Sequence, residues 1–493
     1  MGKHQKEIAK AQSAINEVKQ TVSQDEWRLC YHVTPEANWM NDPNGFCMWN
    51  GEYHLFYQHH PYTPEWGPMH WAHVKSKDLV NWERMPIALA PSEWYDKDGC
   101  FSGSAIEKDG KLYLFYTGNQ WTGPNQDTDL KQVQCIAISE DGIHFEKIKE
   151  NPVILEVPEG DIHPFHFRDP KVWKKGDVYY CVLGSQTKNR IGQALLYRSS
   201  DLFDWEFVNV LAKGQGNQGY MWECPDLFQL DDKGILVMSP QGVHPEGDNY
   251  HNLHQSVAVI GHLNEGSGKF TSEQWQTLDH GFDYYAPQTL IDDQGRRIVI
   301  AWMAMWESEM PEQKREWAGA MTIPRILSME KEKLKIEPIP ELVSLRYDPI
   351  MYQEITVDQD RQLDGINGDC LEMKVNIAAK EANKFGLNLR MNESGTEYTT
   401  LAYDVAEEKI LLDRSHSGKG PDGIRKAPLA LQNGQLQLHL FLDRSSVEIF
   451  MQNGEMVMSA RIYPGQGSTG IEFFSDTAIE IVQLEKWSLK QSV

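Results

Sequence analysis

The chain has 493 residues, 40% of them hydrophobic and 24% charged, and carries a formal net charge of -24. That length accommodates two or three domains with sizeable cores, while the acidic balance argues against nucleic acid or an anionic membrane as partner, because both demand basic surface. The seven cysteines have no CxxC spacing, which speaks against a zinc or disulfide framework and for free thiols in a reducing compartment.

Residues 1–26 place Ile8, Ile15, Val18 and Val22 at helical spacing and predict an amphipathic N-terminal helix. No apolar run there resembles a signal peptide. Gly2 is followed by Lys rather than Ser or Thr at position six, so the myristoylation pattern fails. No stretch approaches the roughly 20 apolar residues that span a bilayer. The expected location is cytoplasmic.

A repeat follows. Strand-like runs begin at 52 (EYHLFYQ), 111 (KLYLFYTG), 177 (DVYYCVLG), 234 (GILVMSP) and 296 (RRIVIAW). Each comes after a short turn signal, such as Asn50-Gly51 or Asp109-Gly110, and another β-like run, so each unit opens on a hairpin. A second marker recurs downstream in SKDLVNWERM, SEDGIHFEKI and SSDLFDWEFV, with the aromatics Trp82, Phe145 and Trp205, and more loosely in GKFTSEQWQTL. Five β-rich units of about sixty residues predict an all-β fold, a five-bladed β-propeller over 27–335. The proline-containing stretch 336–350 reads as a linker. Beyond it, 351–493 shows strands joined by polar turns, the pattern of a β-sandwich.

In register, the segments leading into the five hairpins are WMNDPNGFCMW, FSGSAIEK, FRDPKVWK, WECPDLFQL and YYAPQTLI. Pro43, Pro170, Pro225 and Pro287 occupy matching places, and Asp42, Asp169 and Glu223 fall within two residues before three of them. Any one of these acids alone reads as a solvated surface or turn residue. If the segments are innermost strands, however, the three carboxylates meet at one funnel. Such a gathering raises electrostatic energy and at least one pKa. Beside Trp39, Trp66 and Trp222 it suits glycosidic-bond cleavage, where one carboxyl group protonates the leaving oxygen and another attacks or activates water.

WMNDPNG, FSGSA, FRDP, WECPD, DYYAPQ and FLDRSSVEIF together resemble the family 32 glycoside hydrolases, the invertases and β-fructofuranosidases, and among them the bacterial sucrose-6-phosphate hydrolases. The resemblance runs from about residue 27 to the C-terminus. It implies a five-bladed propeller followed by a sandwich. It assigns Asp42 as nucleophile, Glu223 as acid/base and Asp169 as the acid that holds fructosyl hydroxyls. It places Trp39, Asn41, Gln58, Trp66, Phe101, Ser102 and Arg168 at the substrate. The implied chemistry is a retaining double displacement through a covalent fructosyl-enzyme, with Glu223 kept protonated by nearby negative charge and burial.

The histidines of His59-His60, HWAH and HPFHF match no zinc spacing and read as hydrogen-bonding groups near the funnel rim. No metal or other cofactor is expected. Cys224 reads as a small neighbour tuning the acids, and Trp302 and Trp306 fit either leaving-group contact or blade packing. Sucrose 6-phosphate and sucrose are the expected substrates, a small-molecule sugar being the only partner implied. A hydrolase of imported fructo-oligosaccharides and a non-catalytic sugar-binding propeller are the alternatives.

Overall fold

The structure, a computed structural model, describes residues 2–264 and 266–492. Each sequence unit forms one antiparallel sheet whose strands follow chain order. The first strands of the five sheets are Asn38–Trp49, Cys100–Lys108, Phe167–Lys175, Met221–Leu230 and Tyr285–Ile291. Each lies against the first strand of the next sheet, and the fifth returns to the first, which gives a propeller-like arrangement. Trp317–Ala318 adds a parallel strand to Asn38 and Trp39 and ties the end of the series to its beginning.

Local chemistry explains the repeat. In Asn50-Gly51 and Asp109-Gly110 both residues have positive φ, the turn geometry that suits the twist of a tight hairpin. The downstream Ser-x-Asp marker is a second turn. Asp78 Oδ1 accepts the N–H groups of Val80 and Asn81, Asp141 Oδ1 those of Ile143 and His144, and Asp201 Oδ1 those of Phe203 and Asp204. Trp82 and Trp205 then donate Nε1 to the carbonyls of Leu79 and Leu202. The marker therefore closes the third strand onto the fourth in the first three sheets.

The N-terminal helix spans Lys3–Val22, buries Ala11, Ile15 and Val22, and packs on the strand Trp82–Leu89. Among the described residues no helix is long and apolar enough to cross a membrane. Within 336–350 the last strand of the fifth sheet runs to Pro338, a 3-10 helix covers Pro340–Leu345, and the next strand starts at Arg346. Two six-stranded sheets then form the C-terminal β-sandwich around a separate aliphatic core.

The seam between the two parts is charged and buried. Arg325 donates Nη1 to Asp279 Oδ2 at 3.0 Å and Nη2 to Glu448 Oε2 at 2.5 Å, and Arg414 donates to Asp283 at 2.7 Å. His32 bridges Asp443 and Glu448, 2.8 Å from each. Both carboxylates favour the imidazolium strongly enough to overcome burial and push His32 up to about 9. All these groups are paired, as buried charge requires.

Candidate active site

All five first strands are bulged at the same level. The ladder to the second strand slips between Met40 and Pro43, Phe101 and Gly103, Arg168 and Lys171, Glu223 and Asp226, and Tyr285 and Gln288. A bulge leaves residues unpaired and redirects their side chains. Asp169, Cys224 and Ala286, each directly before a proline, have φ of 65°, 48° and 51°, a strained conformation for residues that are not glycine. Proline lacks the N–H that the interrupted ladder would leave unused. The matched prolines of the sequence are thus part of this ring of bulges.

The bulges create two layers. In the inner layer Asp42, Ser102, Asp169 and Cys224 meet. Ser102 Oγ donates to Asp42 Oδ2 at 2.8 Å, and Cys224 N–H donates to Asp169 Oδ2 at 2.9 Å. Cys224 Sγ lies 3.6 Å from Asp42 Oδ2 and 3.7 Å from Asp169 Oδ2. The other layer holds the residues one position earlier. There Arg168 donates Nη2 and Nε to Glu223 Oε1 at 2.7 and 3.1 Å, and Tyr285 donates its hydroxyl to Glu223 Oε2 at 2.5 Å. Glu223 therefore does not share the register of the two aspartates. It sits one residue earlier than they do, and successive side chains of a strand point to opposite faces.

This offset separates the acids chemically. Burial, followed by the Glu223 charge, pushes Asp42 up to about 6 against the hydrogen bonds of Asn41 and Ser102. Burial also dominates at Asp169, where Glu223 and Asp42 add to it and Arg168 opposes it, leaving it at about 7. Burial works the same way on Glu223, but Arg168 and Tyr285 outweigh it and hold this carboxyl below its ordinary range. Besides the negative neighbours expected from the sequence, Glu223 thus has Arg168 and Tyr285 as donors, which favour its carboxylate form in the free protein.

The remaining predicted residues surround this centre. Trp39 donates Nε1 to Asn41 Oδ1 at 2.7 Å, and Asn41 donates Nδ2 to Asp42 Oδ1 at 3.1 Å. Gln58 lies opposite the Asn41-Asp42 bulge and donates to the Cys100 carbonyl. Trp66, 36% exposed, meets Phe101 edge-on at 6.0 Å. It is the most open of these residues. Trp302 and Trp306 pack against Trp39, Trp302 fully buried and Trp306 partly so.

Sequence reasoning assigned no role to Tyr285 or Gln241, yet both donate to Glu223 Oε2, Gln241 at 2.9 Å. Tyr285 stands in the quoted DYYAPQ segment, so a signal existed, while Gln241 had none. Of the rim histidines only His166 contacts the centre, with Nδ1 3.0 Å from Arg168 Nη1. His59 and His73 are buried within the first sheet instead. Cys30, Cys370 and Asp443 each offer a ligand atom within 4.8 Å of one another. The Asp443 oxygens already accept from the N–H groups of Cys30, Tyr31 and Arg444 and face His32 Nδ1, an arrangement that serves the seam.

Residues 32–338 match the family model for the Glycosyl hydrolases family 32 N-terminal domain, and residues 341–488 match that for the Glycosyl hydrolases family 32 C terminal. A sucrose-6-phosphate hydrolase of Escherichia coli is 43% identical over 456 residues, covering 92% of this chain and 93% of that protein. One of Bacillus subtilis is 39% identical over 482 residues, covering 95% and 96%. Among solved structures, a Bombyx mori GH32 beta-fructofuranosidase in complex with sucrose superposes with a TM-score of 0.88, at 36% identity and covering 98% of both chains. The sucrose-6-phosphate hydrolase of Lactobacillus gasseri gives a TM-score of 0.87 at 30% identity, covering 98% of this chain and 97% of that one.

Proposed function

The chain belongs to glycoside hydrolase family 32, and from that premise we infer a retaining β-fructofuranosidase whose substrates are sucrose 6-phosphate and sucrose. The observation that carries the chemistry is the two-layer cluster, in which Asp42 and Glu223 have opposite electrostatic surroundings within one buried site. The five small sheets act, in this reading, as the blades of one closed propeller over 27–335, with the sandwich over 351–493 as a second domain.

Asp42 attacks the anomeric carbon of the fructosyl unit, the bond from that carbon to the leaving sugar breaks, and Glu223 gives its proton to the departing oxygen. A fructosyl ester of Asp42 results. Glu223, now a carboxylate, takes a proton from water as the water oxygen attacks the same carbon, and Asp42 is released. Asp169 and Arg168 hold fructosyl hydroxyls, and Trp39, Asn41, Gln58, Trp66, Phe101 and Ser102 shape the fructosyl pocket. The free site holds its proton on the aspartates, so substrate must draw Arg168 off Glu223 to let the proton reach the acid/base. All seven cysteines are free, which supports a cytoplasmic location and, with it, a phosphorylated internal substrate.

Specificity constants on sucrose 6-phosphate, sucrose and a short inulin-type oligosaccharide test this reading. Preference for the phosphorylated sugar supports it, and equal constants on the two sucroses describe a general invertase. Preference for the oligosaccharide moves the role to fructan use, and no cleavage of any fructoside refutes the enzyme.

A further inference from the structure

The rim beyond Glu223 carries a cation that none of these steps uses. Arg190 sits at the tip of the hairpin joining Val178–Gln186 to Gly192–Ser199. The tip is fixed: Arg190 N–H donates to the Thr187 carbonyl at 2.9 Å, Thr187 N–H to the Ile191 carbonyl at 2.8 Å, and Ile191 N–H to Thr187 Oγ1 at 3.1 Å. The Arg190 guanidinium lies over the Tyr220 ring, 5.0 Å from its centroid. Arg190 is exposed and forms no ion pair among the described residues.

Tyr220 links this cation to the acids. It precedes Glu223 by three residues, and its N–H donates to the carbonyl of Gln241, whose side chain donates to Glu223. Gly242, with φ of 75°, makes room for the ring, since a Cβ there would lie 2.3 Å from Tyr220 Cδ1. On the opposite flank His166 contacts Arg168, and the His163 ring lies 5.2 Å from that of His166. His163 N–H donates at 2.8 Å to the carbonyl of Gln186, where the strand runs into the Arg190 hairpin tip, which places both on one stretch of rim. Arg168, His166, His163, Arg190 and Tyr220 thus form an arc that starts at Glu223 and returns to it through Gln241.

A guanidinium held against an aromatic face, with its donors free of any carboxylate, is suited to bind phosphate oxygens in pairs. In a chain of net charge -24, such a group is also what lets a dianionic substrate approach a site lined with carboxylates. We propose that Arg190, oriented by Tyr220 and flanked by His163, binds the phosphate monoester on the leaving-group sugar and so sets the preference for phosphorylated over plain sucrose. This rests on the fructoside-hydrolase reading above.

The test measures kcat/KM on sucrose 6-phosphate and on sucrose for the parent protein, Arg190→Gln and Arg190→Lys, with glucose 6-phosphate, glucose and inorganic phosphate as inhibitors. The ratio of the two specificity constants should fall about 10- to 100-fold in Arg190→Gln, the worth of one charge-assisted contact, and by less in Arg190→Lys. Glucose 6-phosphate should lose inhibition by a similar factor relative to glucose. A parent that prefers the phosphorylated sugar, with an unchanged ratio in Arg190→Gln, overturns the assignment. So does an equal loss on both substrates, or inhibition by inorganic phosphate that ignores the substitution. A parent without any preference also overturns the assignment, before any variant is made, and leaves a general invertase.

Discussion

Arg168 directs two nitrogens, Nη2 at 2.7 Å and Nε at 3.1 Å, onto one oxygen of Glu223. The second oxygen is occupied by Tyr285 and Gln241. A carboxylate so well supplied with donors has little tendency to take a proton, although a glycosidase acid/base must carry one when substrate arrives. In the free site the surroundings therefore favour ionised Glu223 and a proton held by the aspartates. In the proposed mechanism, binding redirects Arg168 from the acid to the sugar.

The pH dependence follows from that arrangement. Asp42, raised to about 6, should be available as the proposed nucleophilic carboxylate only above that pH. The last proton of the cluster should leave near the value of about 7 to which burial pushes Asp169. Because the groups are coupled, these are properties of the set, and its singly protonated form is the active one. A bell-shaped kcat/KM profile with limbs near 6 and 7 is expected. In Arg168→Gln the last proton is held more tightly, so the alkaline limb should move to higher pH while kcat/KM falls on the order of 10²-fold. An alkaline limb that stays in place would sink the resting-state account.

Ser102→Ala removes the 2.8 Å hydrogen bond that favours ionised Asp42. The carboxylate loses a donor, its pKa rises, and the acid limb should shift upward, with roughly tenfold lower kcat/KM below neutrality. Profiles of the two proteins measured side by side decide this. A uniform loss at every pH would mean that Ser102 only shapes the pocket.

Asp42→Asn and Glu223→Gln should both lower turnover of sucrose by about 10⁴-fold or more, as loss of a nucleophile or acid/base does. They should differ on an aryl fructoside whose leaving group needs no protonation. Glu223→Gln should then release a burst of phenol and accumulate a fructosyl-enzyme visible by mass spectrometry. Asp42→Asn should show neither. The same mass shift in both variants would contradict the assignment of Asp42.

At the seam, His32 has its pKa raised to about 9 by Asp443 and Glu448. A group whose pKa is higher in the folded state stabilises fully below its unfolded value of roughly 6.5 and loses that contribution as pH rises through the folded one. The thermal midpoint should therefore decline between pH 7 and 10. In His32→Gln it should start lower and decline less over the same range. Parallel curves for the two proteins would show that His32 is not the titrating group.

Much of this architecture is legible in the sequence because it repeats. The hairpin turns and the Ser-x-Asp turns recur within single units, and the prolines mark equivalent bulges, so local pattern reveals them. Glu223 shows where such reading stops. Its place one residue earlier than Asp42 and Asp169 is visible in WECPD, but the consequence depends on Arg168 and Tyr285 of the neighbouring sheets. Gln241, on the strand paired with that of Glu223, and Arg190 were not legible either, since neither carries a local pattern that marks its role. The charged seam was invisible for the same reason, His32 meeting Asp443 and Glu448 more than 400 positions later.

That last separation also sets a timetable for the nascent chain. Asn38 and Trp39 gain their second partner only when Trp317 and Ala318 have been made, and His32 stays without a carboxylate partner until Asp443 emerges. At about 5–20 residues per second, this leaves on the order of tens of seconds during which the strand carrying Asp42 is an open edge. Contacts so distant along the chain also form slowly. The buried seam therefore waits for the sandwich, and truncation ahead of residue 443 should leave His32 without either of its carboxylates, deprive Arg325 of Glu448 and yield an aggregating product rather than a smaller enzyme.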